Sequence, residues 1–280
     1  MSTVNPTPVP DWSYAYVRFC VSTVSFALLL FFNLLIGSAI LRAELLRSHA
    51  RFVLVFHLLL SALVYLGMSS VFYYQIHLGA QPGPGACRAM VGVLIASGSN
   101  ILLTLTFMAL DRYCAVCYPM RYALCSTAWW LWPWLLGGLS WLVASAIPLG
   151  LLLKRNPDDT RACGREQLRN GELEKVVFIA LCTLLILYSY VRILLEGRRL
   201  GVVNRRNLTG CRTITLHGTQ LAVFILPNFV NFVLTKLFKQ GLLRPQTKEL
   251  SAVIVFAFFS LAQCVAPVVY GLRKEELQAD

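Results

Sequence analysis

Asp111-Arg112-Tyr113 sets a carboxylate, a permanent cation and a phenol side by side, directly after the uncharged 22-residue run Ala89 to Leu110. A cation at the edge of an apolar run is costly to bury unpaired, and the adjacent acid can neutralise it. Taken alone, the triplet reads as a helix-end salt bridge with an interfacial tyrosine. Nine cysteines are present. Cys114-Ala-Val-Cys117 has redox- or zinc-like spacing, but no second pair and no histidine cluster accompanies it. Cys20, Cys182 and Cys264 fall inside apolar runs, where a free thiol behaves as a small hydrophobe. His57 and His217 are isolated. With no nucleophile–base–acid arrangement, no glycine-rich phosphate loop and no paired carboxylates, neither an enzyme nor a metal or cofactor site is expected.

The elements that must carry these residues are long and apolar. At 57% hydrophobic, 14% charged and mean hydropathy +0.65, the chain is more apolar than soluble domains, which run to about 45–50% with about a quarter charged. Net charge is +12, but the basic residues lie in short gaps between apolar blocks and form no continuous face. That argues against nucleic acid and for the headgroups of a lipid bilayer. Seven blocks are long enough to cross a membrane, which takes about 20 residues. Helices are expected at about 19–41, 52–76, 89–113, 126–151, 174–199, 212–236 and 249–272. The fourth carries Trp129, Trp130, Trp132 and Trp134 as an interfacial belt and is expected to end at Pro148. The fifth is uncharged only over Val176–Val191, so Lys175 and Arg192 must snorkel to the interfaces. Met1 to Arg18 is expected to be a short polar leader, without the basic start and cleavage site of a signal peptide.

Cys87 and Arg112 are 25 residues apart, about 37 Å of helix, more than the ~30 Å hydrocarbon core of a bilayer. They belong on opposite sides of a membrane. Together they resemble the third helix of a rhodopsin-like (class A) G-protein-coupled receptor. The longer string Met108-Ala-Leu-Asp-Arg-Tyr-Cys-Ala-Val-Cys-Tyr-Pro-Met-Arg-Tyr122 is similar to the odorant-receptor signature. So are Asn33, Arg212-Thr-Ile-Thr-Leu-His217 with Pro227, and Pro267-Val-Val-Tyr-Gly-Leu-Arg273. The resemblance covers about residues 19 to 277, and Leu216-His-Gly218 leans towards the fish-type branch.

The resemblance implies an all-α seven-transmembrane bundle in the plasma membrane, with the N-terminus outside and the C-terminus cytosolic. It implies a small organic odorant as ligand and a heterotrimeric G protein as partner. Lys and Arg do not set the orientation, because 13 would fall on the cytosolic side and 12 outside, leaving the positive-inside rule without a preference. Orientation rests on Cys87 and Cys163, a disulfide pair in the resemblance, which seven spans put on one side; a disulfide needs the oxidising side. The implied activation switch comprises Asp111, Arg112, Tyr113, Tyr190, Pro267 and Tyr270, with the arginine leaving its neighbouring acid for the tyrosines of helices five and seven.

Helical phase gives the ligand lining. A residue 18 before Arg112 points the same way, since 18 steps make five turns; that residue is Leu94. Gly98, Ile101 and Leu105 share its face, with Ile95 and Ser99 beside it. On the sixth helix Gln220, Phe224, Asn228 and Asn231 recur at helical spacing, and their amides should face the bundle because lipid would leave them unsatisfied. Phe178, Phe229, Phe256, Phe259 and Ser260 complete the expected lining, although any of these residues could equally be interhelical packing. Within the resemblance, Leu94 replaces the aspartate of amine receptors and Ser260 the retinal lysine of opsins. Two departures concern the superfamily's sodium site: Ala62 stands for the helix-two acid and Ala266 for the asparagine before Pro267. The alternatives are a seven-helix receptor for a non-odorant ligand and a transporter or channel subunit; the latter is disfavoured by the lack of repeats and of ionisable residues within the spans.

Overall fold

Long uncharged runs can satisfy their backbone groups in lipid only as helices or closed barrels, and every regular element among the described residues is a helix. The computed structural model describes residues 11–42, 50–80, 82–120, 122, 132–153, 172–199, 222, 225–227, 229–242 and 244–277. Helix α1 spans Asp11–Arg42, α2 Ala50–His77, α3 Pro84–Cys117, α4 Trp132–Leu153 and α5 Glu172–Arg199. Helix α6 is described over 229–239, and α7 spans Pro245–Leu277. Tyr14–Ser38, Phe52–His77, Pro84–Cys117 and Leu173–Arg199 are each long and apolar enough to cross a membrane, and Trp134–Gly150 is a shorter apolar helix. The expected stretches 126–131 and 212–221 lie outside the described residues.

Several ends differ from expectation: α3 covers Pro84–Cys117 instead of 89–113 and α7 Pro245–Leu277 instead of 249–272, and two further ends have a visible cause. Helix α1 begins at Asp11 instead of residue 19, because tertiary contacts carry it further: the Tyr16 ring lies 5.0 Å from that of His77 on α2, and Arg18 is buried. Helix α4 runs through Pro148 to Leu153. Neighbouring helices make a proline tolerable within a membrane span. Pro148 packs towards Gly92 of α3.

Lipid is as apolar as leucine, so helices associate through close packing and polar contacts, not through hydrophobic burial alone. Small residues admit large neighbours. A Cβ on Gly67 of α2 would sit 2.9 Å from the Phe26 ring of α1, and one on Gly137 of α4 would overlap the His57 imidazole of α2. Polar contacts join the same neighbours: the Thr23 and Ser70 hydroxyls are 2.6 Å apart across α1 and α2, and Cys264 of α7 donates to the Ser25 carbonyl of α1 at 3.4 Å. Leu54, Leu58 and Leu66 of α2 with Ile101 and Leu105 of α3 form the buried centre. Leu28, Phe31 and Leu35 of α1 and Leu181, Leu184 and Leu187 of α5 face outward, as lipid-facing side chains do.

The turns at the Cys87 end are built alike. After α2 and α6 the chain enters the left-handed region at Gly79 (φ 64°) and Gly241 (φ 74°), where a side chain would be strained. In each, the following residue closes the helix end: Ala80 N–H donates to Gln75 O at 3.1 Å and Leu242 N–H to Leu237 O at 3.1 Å, the Schellman pattern. Pro84 then starts α3 and Pro245 starts α7, prolines whose missing N–H is harmless in a first turn.

Candidate functional site

All seven helices contribute to a cavity of about 490 Å³ at the Cys87 end of the bundle, within the size range of small-molecule sites. Of the residues expected to line a ligand site, Leu94, Ile95, Gly98 and Ser99 of α3, Phe178 of α5 and Phe256 of α7 border this cavity. So do Asn231 of α6 and Phe259 of α7. Ser260 does not; it is fully buried and its hydroxyl donates to the Phe256 carbonyl at 2.9 Å. Phe229 is exposed on the outside of the bundle. Gln220, Phe224 and Asn228 lie outside the described residues.

Sequence reasoning missed the polar part of the wall. Arg18, Tyr65, Ser69, Tyr73, Lys175 and Glu249 all border the cavity. Arg18 Nη2 lies 3.6 Å from Glu249 Oε2, and its guanidinium carbon is 5.5 Å from the centroid of the Tyr73 ring. The Tyr73 ring in turn meets Phe256 edge-on at 5.5 Å. The signal for Arg18 was present in the sequence: Tyr14 stands four residues before it, one helical turn, which argues for a helix that begins before residue 19.

At the other end of α3, Asp111 is held twice. Its Oδ1 accepts the Tyr122 hydroxyl at 2.8 Å, and its Oδ2 lies 3.9 Å from Arg112 Nε. The first is a short charge-assisted hydrogen bond and the second a loose ion pair. Burial and the neighbouring carboxylate push the Tyr122 phenol well above its ordinary value, so it stays a donor at neutral pH. Tyr122 belongs to the motif that drew attention to this stretch, but nothing in the linear pattern gave it a role. Tyr113 packs against Tyr118 at 5.8 Å and Tyr188 of α5 at 5.9 Å. Tyr190 sits against the buried centre. Pro267 and Tyr270 are in α7, and their side chains lie outside what is described.

Between the two ends is a neutral polar centre. Asn100 of α3 donates to Ser61 Oγ of α2 at 2.6 Å, while Ser61 donates to the His57 carbonyl at 2.6 Å. Asn33 of α1 donates to the Leu29 carbonyl at 2.9 Å and reaches the Leu59 carbonyl of α2 at 3.4 Å. Asn100 Oδ1, Thr104 Oγ1 and both polar atoms of Gln263 are buried without a hydrogen-bond partner among the described residues. Ala62, next to Ser61 in sequence, is buried and offers no charge. No group of three His, Cys, Asp or Glu side chains suited to a metal occurs among the described residues. Cys87 is disulfide-bonded; Cys163 lies outside the described residues. Cys114 and Cys117 are not joined in a disulfide.

A bundle of membrane-length helices, with a cavity at one end and a charged pair at the other joined by one continuous helix, has the form of a membrane receptor. The chain belongs to the family 7 transmembrane receptor (rhodopsin family), which matches residues 32–270. It is thus a seven-helix, multi-pass plasma-membrane protein. It is 25% identical to Odorant receptor 131-2 of Danio rerio over 191 residues, 62% of this chain and 57% of that receptor. It is 26% identical to Olfactory receptor 10G3 of Homo sapiens over 256 residues, 83% of this chain and 78% of that one. It is also 25% identical to Probable G-protein coupled receptor 148 of Homo sapiens over 232 residues, 76% of this chain and 66% of that one. The match to the Danio rerio receptor spans little more than half of that protein's length.

Proposed function

We propose that this protein is an odorant receptor: a small organic molecule enters the cavity and shifts the bundle towards a conformation that activates a heterotrimeric G protein. The observation that carries the proposal is the geometry of α3. One helix, Pro84–Cys117, borders the cavity through Leu94 and Gly98 and ends in Asp111-Arg112, about 27 Å further along at ~1.5 Å per residue. Both the odorant and olfactory names among the relatives support this ligand class, and the Danio rerio receptor supports the fish-type branch.

In this reading the N-terminus is outside and the C-terminus cytosolic, so that the cavity faces the outer medium. Cys87 sits beside Tyr73 and Val91 at the cavity end, and Cys163 is its proposed partner across the outer surface. Asp111 restrains Arg112 in the resting state. A ligand that fits the alternative arrangement better lets the arginine leave towards Tyr190 and Tyr270, since a ligand shifts an equilibrium only by its differential affinity. Leu94, Ile95, Gly98, Ser99, Phe178, Asn228 and Phe256 are the proposed ligand-contacting set, with Ser260 behind them holding the Phe256 backbone.

The test is ligand-stimulated nucleotide exchange on a heterotrimeric G protein in membranes bearing the receptor, using an odorant panel. Arg112→Gln should abolish exchange while ligand binding persists. Exchange that survives this substitution removes Arg112 from the mechanism. The relationship to Probable G-protein coupled receptor 148 favours a second reading, a receptor for a non-odorant ligand. Expression outside sensory epithelium, with no response to any odorant, would select it.

A further inference from the structure

The cavity's wall combines an apolar surface with a buried cation that lacks a full set of acceptors. Arg18 is 5% exposed, and its Nε has no hydrogen-bond partner among the described residues. Its contact with Glu249, at 3.6 Å, is well beyond the ~2.7–2.9 Å of a charge-assisted hydrogen bond. A guanidinium presents five donors in a planar fork, and burying it without acceptors is expensive. Here the acid beside it forms a long ion pair with Nη2 and leaves Nε unused.

Other charged groups border the same cavity. Among the described residues these are Lys175 of α5 and Lys248 and Glu249 of α7. Lys248 lies over the Phe238 ring, 4.0 Å from its centroid. A low-dielectric wall strengthens any charge interaction within it. Apolar side chains border the same cavity, among them Leu102, Leu105 and Phe178.

We propose that the ligand class is an organic acid: a carboxylate seated on the Arg18 guanidinium, with its hydrocarbon body against Leu102, Leu105 and Phe178. Arg18 is suited to this because its fork matches a carboxylate bidentately. Glu249 competes for the same donors in the empty site, and Tyr73 holds the guanidinium from its ring face. This proposal rests on the odorant-receptor reading for its context, but its chemistry concerns binding alone.

The experiment measures ligand-induced thermal stabilisation of the purified full-length receptor in lipid nanodiscs, with nucleotide exchange recorded separately. The probes are straight-chain carboxylates from butanoate to decanoate and the alcohols and amines of the same length. Carboxylates should stabilise the receptor and the matched alcohols and amines should bind at least roughly tenfold more weakly, the loss of one charge-assisted contact. Arg18→Gln should remove that preference, and Arg18→Lys should restore part of it. Glu249→Gln should tighten carboxylate binding by removing the competing acid, and this variant tests the proposal even if Arg18→Gln fails to reach the membrane. Carboxylate affinity unchanged or weakened in Glu249→Gln overturns the proposal. So does preferential binding of alcohols or amines, or no binding by any of the carboxylates. Carboxylate binding without nucleotide exchange would uphold the acid site and count against the receptor reading instead.

Discussion

Asp111→Asn removes one charge at the end of α3 far from Cys87 while keeping an oxygen for the Tyr122 hydroxyl, so it isolates the ion pair from the hydrogen bond. The pair is separated by 3.9 Å. Unit charges about 4 Å apart interact by about 1 kcal/mol in water-like surroundings and about 4 kcal/mol at an effective dielectric of 20. The Arg112 side chain is 29% exposed and that of Asp111 10%, so the solvent-screened end of that range applies, about 1 kcal/mol. If the pair forms only in the resting state, its loss moves the resting-to-active equilibrium about fivefold. Nucleotide exchange without ligand, normalised to surface receptor, should rise by about that factor. Adding Arg112→Gln to the same receptor should cancel the rise, because the released arginine is the group that acts. Ligand-free exchange at the unmodified level, at equal surface density, would show that Asp111 does not restrain the resting state.

Gly137→Ala places a methyl where the His57 ring lies, and that ring is hemmed in by Trp134 at 5.8 Å and Phe56 at 6.0 Å. Overpacking of this kind costs about 1–3 kcal/mol; the variant should melt at lower temperature in detergent, His57→Ala should restore it, and an unchanged melting curve would contradict the packing. Ala62 leaves no carboxylate at the mid-bundle, and the neutral oxygens of Ser61 and Asn100 there are poor substitutes for one in binding a hard cation. Agonist potency should therefore not change when sodium replaces potassium at constant ionic strength, and a sodium-specific shift would place a site where none is expected; Ala62→Asp should lower expression without creating regulation. Non-reducing peptide mapping should link Cys87 to Cys163, and replacing either should reduce surface receptor. Finding both as free thiols at the cell surface would defeat the proposed topology.

Much of this protein is legible in the linear chain because the relevant physics is local. Uncharged runs such as Ala89–Leu110 need only lipid and their own backbone to become helices. A fixed period of 3.6 residues projects Leu94, Gly98, Ile101 and Leu105 to one side of α3 from the position of Arg112 alone; all four border the cavity. Asp111 and Arg112 announce themselves because charge at an apolar boundary needs a partner close by. Other features depend on which helices become neighbours, and no window of sequence contains that. Arg18 and Glu249 are 231 positions apart, and each alone reads as a charge at an interface; only the packing of α1 against α7 makes them a buried pair. Tyr122 becomes the principal partner of Asp111 because the chain folds back after Tyr118. His57 can sit against α4 only because Gly137 lacks a side chain at that contact. The sequence by itself determined a chain of membrane helices, an inward face for α3 and a charged pair near its far end, since each follows from hydropathy, period and local charge. The tertiary structure alone decided that a buried Arg18–Glu249 pair borders the cavity and that Asn100 meets Ser61 in a neutral polar centre, since both depend on side chains from distant segments meeting across helix interfaces.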